Sequence, residues 1–134
     1  MNAPLAFLGR LLLATLFLVA GVRKVFGFQG IVHLMTAKGL PYAEMLLMLA
    51  ILLEIGGGLM LIVSWHARTA AVALAIFTLA AGALFHDFWV HLGGDAAQFS
   101  NQLNHALKNI AIAGGLLHVA ATPRQPAVTA SPEA

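Results

Sequence analysis

Long apolar runs separated by short polar breaks set the pattern of this chain. The first, Leu5 to Val22, carries Arg10 as its single charge. The second, Ala43 to Val63, holds Glu54 near its middle, followed at once by Gly56, Gly57 and Gly58. The third runs from about Thr69 to Trp89 and is dense in alanine; the fourth runs from about Leu103 to Ala121. Each is about 20 residues long, enough for a helix to span the hydrocarbon core of a bilayer. Between the first two runs, Phe28, Ile31, Leu34 and Met35 recur at near-helical spacing, with Gln29, His33 and Lys38 elsewhere. That spacing predicts a short helix lying in the membrane interface, ended by Gly39-Leu40-Pro41. Ser64 to Arg68 reads as a tight polar turn, and Val90 to Asn101 as a polar connection.

Short connections make successive helices antiparallel neighbours. The predicted fold is all-α: a transmembrane four-helix, up-down-up-down bundle with a short interfacial helix between spans one and two. Residues 1–121 form one membrane domain, and the proline-containing stretch 122–134 reads as a disordered tail. An even number of spans places both termini on one side. A signal peptide is rejected for the first run: Arg23-Lys24 stands where cleavage would occur, and further spans follow. Basic residues are spread too evenly between the two sides for the positive-inside rule to orient the chain.

Composition agrees with a membrane protein. Of 134 residues, 60% are hydrophobic and 9% charged, against about 25% charged in a soluble domain. The formal charge of +2 comes from few ions and no basic run, so nucleic acid is excluded as a partner. Cysteine is absent, which removes disulfides, thiolate nucleophiles and thiolate metal sites. No metalloprotease-type histidine spacing, phosphate-binding loop or dinucleotide fingerprint occurs, and no metal site is expected.

Candidate chemistry follows from depth. A carboxylate at mid-bilayer needs a partner and should face the helix interior; the adjacent glycines mark a face that another helix approaches closely. Arg10, within about two helical turns of Glu54 in depth, is the first expected partner, and Lys108 the second. Such a pair serves either helix register or function. The end of span one, the end of span three and the start of span four share one level, which gathers Lys24, His86, Asp87, His105 and Lys108. His86 and Asp87, adjacent on a helix, point about 100° apart and should address separate partners on neighbouring helices. A histidine there is suited to relaying protons or binding a quinone carbonyl, with Phe88 and Trp89 as an apolar wall; Trp89 reads equally as an interfacial anchor. The six histidines raise haem ligation by His86 and His105, but core or interfacial histidines are the commoner case and haem is disfavoured.

The ordered set Gly9-Arg10, Gly21 with Lys24, Gly39-Leu40-Pro41, Glu54 with its glycines, Arg68, His86-Asp87-Phe88-Trp89, and Lys108-Asn109 before Gly114-Gly115 resembles the bacterial DoxX family over about residues 5–120. The resemblance implies a multi-pass protein of the bacterial plasma (inner) membrane, tied to quinone-linked redox or oxidant-defence chemistry. On that reading His86, Asp87 and Glu54 are the candidate catalytic residues. Arg10, Lys24, His105, Lys108 and Trp89 are the candidate cofactor-binding residues, for a quinone. Expected partners are the lipid bilayer and a membrane-bound or soluble redox protein, with a second copy of the chain a further candidate. The alternative is a non-catalytic scaffold or small-solute permeation module, which needs a polar path from Glu54 to both faces.

Overall fold

The computed structural model describes residues 3–123. It contains α1 (Ala3–Phe26), α2 (Phe28–Ala37), α3 (Ala43–Val63), α4 (Ala67–Phe85), a 3-10 turn (Phe88–His91) and α5 (Ala96–Ala121), with no strand among the described residues. The tail expectation falls on residues outside this range, apart from Thr122 and Pro123. Among the described residues three helical stretches are long and apolar enough to cross a membrane: Ala3–Phe26, Ala43–Val63 and Ala67–His91. Helix α5 is long enough, but its stretch from Gln98 to Asn109 carries Gln98, Asn101, Gln102, Asn104, His105, Lys108 and Asn109.

Helix α1 packs on α3, α3 on α4, α4 on α5, and α5 returns to α1. Neighbours are antiparallel: Gly21 of α1 lies beside Glu54 and Ile55, while Ala14 and Leu18 lie beside Gly58. The α1–α3 contact depends on missing side chains. A Cβ on Gly21 would stand 2.6 Å from Ile55 Cγ1, and one on Gly58 would stand 3.0 Å from Leu18 Cγ. Small residues admit this approach where lipid supplies no hydrophobic drive between helices. Arg68, at the start of α4, donates from Nε to the carbonyl of Ala120 at 2.7 Å, capping the end of α5 with a cation.

Two apolar clusters result. The larger joins Ala14, Phe17, Leu61, Ala71, Leu74 and Leu116, toward the end of the molecule that holds Ala3 and Ala121. The smaller joins Met35, Ala43 and Leu47, where α2 folds back on α3. Outward-facing Leu5, Leu8, Leu12, Leu16 and Val19 give α1 an apolar exterior, a surface suited to lipid and too continuous for water.

Two boundaries differ from the sequence reading. Helix α4 stops at Phe85, not near Trp89; His86 leaves helical backbone at φ −121°. No proline or glycine forces this end. It coincides with His86 turning toward α5 and Asp87 toward Lys38. Helix α5 begins at Ala96, within the stretch expected to be a connection. Asp95 caps it, its carboxylate accepting from the backbone N–H of Ala97 at 2.9 Å and of Gln98 at 3.3 Å.

Candidate functional site

Glu54 is buried, with 3% of its surface exposed. Its partner is Lys24, whose Nζ donates to Oε1 at 2.8 Å. The expected pairing with Arg10 or Lys108 is therefore corrected, and the reason is register. Gly21 lies level with Glu54, so Lys24 sits about 4.5 Å further along the axis, within one turn, whereas Arg10 lies about 16 Å the other way. Arg10 instead places its guanidinium 5.9 Å from the centre of the Phe7 ring, and its buried Nε has no hydrogen-bond partner among the described residues. Lys108 is exposed on α5. Glu54 Oε2 is likewise buried without a partner among the described residues.

A cavity of about 540 Å³ opens where the five helices meet above this pair. Its wall is mostly apolar, with Phe17, Phe77 and Phe85 contributing rings. Polar groups reach it from four helices and a helix end: Lys24, Glu54, Thr78, His86 and Asn109. Thr78 spends its hydroxyl on the Leu74 carbonyl at 2.7 Å, leaving it a weak contributor. Asn109 is seated by Gly82: a Cβ there would come within 2.8 Å of Nδ2.

His86 is held from two sides. Its Nδ1 lies 3.0 Å from Gln102 Oε1, and its ring stacks on His105 at 4.7 Å with 11° between planes. With the amide oxygen as acceptor, Nδ1 is the donor, and in the neutral ring Nε2 then carries the lone pair. The His86–His105 juxtaposition agrees with the depth argument; Gln102 was missed, though it stands three residues before His105 on one helix face. Asp87 pairs with Lys38, at the end of α2, at 3.6 Å, and not with Lys24, His105 or Lys108, the groups expected at its level. Trp89 is 49% exposed and packs edge-on against Phe88 at 5.3 Å. The structure thus brings Lys24, Glu54 and His86 around one space, with His105 behind His86. Arg10, Asp87, Trp89 and Lys108 do not line it.

The family model for DoxX matches residues 5–87. The chain belongs to the DoxX family. The DoxX match includes Arg10, Lys24, Glu54, His86 and Asp87 and stops short of Trp89 and α5, a narrower extent than the resemblance over about 5–120. Two proteins of Escherichia coli (strain K12) are similar over more of the chain. The inner membrane protein YqjF is 38% identical over 113 residues, covering 84% of this chain and 79% of that protein. The inner membrane protein YphA is 29% identical over 118 residues, covering 88% of this chain and 82% of that protein. No solved structure matches the chain. With relatives named for the inner membrane and helices able to cross it, this DoxX protein is a multi-pass protein of the bacterial inner membrane, in contact with the lipid bilayer.

Proposed function

We propose that this DoxX protein is a small integral subunit of a quinone-linked redox or oxidant-defence system. The observation that carries the reading is the apolar cavity whose wall combines the Lys24–Glu54 pair with His86. A space of this size, largely apolar with a few convergent polar groups, suits a ring-shaped lipophile. When bound, a quinone supplies two-electron, two-proton redox chemistry. The residues' own part is narrower. Lys24 donates one N–H to Glu54 Oε1 and, as an ammonium, retains further donors for a carbonyl oxygen. His86 takes or returns a proton at the cavity edge; His105 and Gln102 fix its ring. Face-to-face imidazoles at 4.7 Å leave no place for a metal plane between them, so haem has no part in this reading.

The same proposal makes α5 a fourth span and α2 a helix lying in the interface. The cyclic packing of α1, α3, α4 and α5 supports the first, and the alternation of α2's apolar and polar residues supports the second. The permeation alternative fares worse, because the cluster of Ala14, Phe17, Leu61, Leu74 and Leu116 fills the space between Glu54 and the other face.

Mass spectrometry of protein purified in mild detergent should find quinone in the wild type. His86→Ala should lose it while staying folded, and Trp89→Phe should keep it. Wild-type protein free of quinone, indistinguishable from His86→Ala, would favour a scaffold. Reporter fusions after Trp65 and after Ala134 should report one side of the membrane and a fusion near Gly39 the other. Agreement of the Gly39 and Ala134 fusions would remove the fourth span.

A further inference from the structure

The ion pair leaves one feature unexplained. Lys24 engages only Oε1 of Glu54; Oε2 is buried, on a residue lining the cavity, with no partner among the described residues. A paired carboxylate is an acceptor only, and a buried acceptor left unmade is expensive. The group that completes it must bring a donor. It must also be uncharged and largely apolar, because it reaches a mostly apolar cavity set among membrane-crossing helices. The rings of Phe17, Phe77 and Phe85 on the wall favour an aromatic head, through edge and face contacts.

We infer that the cavity is a binding site for a lipid-soluble phenol, whose hydroxyl donates to Glu54 Oε2 while Lys24 holds Oε1. The inference rests on the proposed function only for the position of the site. It adds that the site selects by hydrogen-bond polarity: a hydroxyl-bearing ring is bound in preference to the same ring carrying only acceptors.

The test uses the full chain in detergent or nanodiscs and four probes of matched tail length: an alkylphenol, its methyl ether, an alkyl-benzoquinone and an alkyl alcohol. A charge-assisted hydrogen bond to the carboxylate should make the phenol bind about tenfold or more tighter than its ether. Glu54→Gln keeps the shape and an oxygen for Lys24 but turns an NH2 toward the ligand, so the phenol's advantage should vanish and the ether or quinone gain relative to it. Equal binding of phenol and ether by the wild type would overturn the inference, as would an undiminished phenol preference in Glu54→Gln. The wild-type comparison stands alone if that variant does not fold. A quinone that outbinds the phenol would sink the inference and leave the proposed function standing. An alkyl alcohol that matches the phenol would defeat the aromatic head, and failure of both ring probes to bind would remove this inference and the proposed quinone site together.

Discussion

On the side of Glu54 nearer Ala3 and Ala121, the helices meet through alanine and leucine, and Ala14, Leu61, Ala71, Leu74 and Leu116 are all 0% exposed. On the side nearer α2, the same helices surround a cavity whose wall includes Lys24, His86 and Asn109. The difference is one of side-chain size and polarity along continuous helices. Small apolar residues let backbones close up and exclude everything else; around Lys24, His86 and Asn109 a cavity is left open. Glu54 sits at the boundary: its Cβ lies beside Gly21 on the packed α1 contact, and the residue also lines the cavity. One half of the molecule is thus suited to holding position, the other to holding something else.

The sharpest way to break this division is at the boundary. Lys24→Met should destabilise by about 3–5 kcal/mol, because it strands a buried carboxylate. Glu54→Met should do less, since the Lys24 side chain is 27% exposed and can turn its ammonium outward. The double substitution should recover much of the loss, read by thermal unfolding in detergent. Additive losses would mean that the pair is not a unit.

Within the two halves, truncation should discriminate. Leu61→Ala opens a void among fully buried neighbours and should cost about 2–5 kcal/mol. Met35→Ala, on α2 beside the existing cavity, should fall at the low end of that range or under it, since it enlarges a space already there. Reversed magnitudes would show that the α2 side is the better packed.

Glycine substitutions give a smaller version of the same contrast. Gly21→Ala presses on Ile55 Cγ1 at 2.6 Å, close to that side chain's branch point, and should cost about 1–3 kcal/mol. Gly82→Ala meets the end of the Asn109 side chain, which can swing into the cavity, so its stability loss should be less and its effect on ligand binding greater. The least effect belongs to Asp87→Asn, because the Lys38–Asp87 pair at 3.6 Å is about one-third exposed at each side chain. A change of about 1 kcal/mol or less is expected, with the midpoint of unfolding as the readout.

The packed half was the legible one. Run length and hydropathy locate α1, α3 and α4, and the glycines after Glu54 mark a contact surface, shared between α1 at Gly58 and α4 at Gly57. A single carboxylate in an apolar run implies burial with a cation. The choice of cation needed register, which hydropathy does not encode. Ending the first run at Val22 put Lys24 outside the helix, whereas α1 continues to Phe26 and carries Lys24 to within a turn of Glu54. The α4 and α5 boundaries failed for a related reason: His86, Asp87, Gln102 and Lys38 are arranged by pairing across elements, and residues far apart in sequence leave no local periodicity to read. Asp95 is the exception, since an acidic residue before Ala96-Ala97-Gln98 is a cap signal that was readable.

The Lys24–Glu54 pair also bears on how the protein is made. The two charges belong to helices that emerge from the ribosome one after the other, with α1 complete before Glu54 is synthesised. A lone carboxylate at the centre of α3 resists lateral release into lipid by about 2.5–3.5 kcal/mol. Lys24, already waiting at the end of α1, offers the counter-charge that lets α3 leave the translocon against it. Insertion of the two helices is then cooperative, and a chain whose first helix is deleted or replaced by a neutral one should deliver α3 to the membrane less efficiently, whatever its final stability.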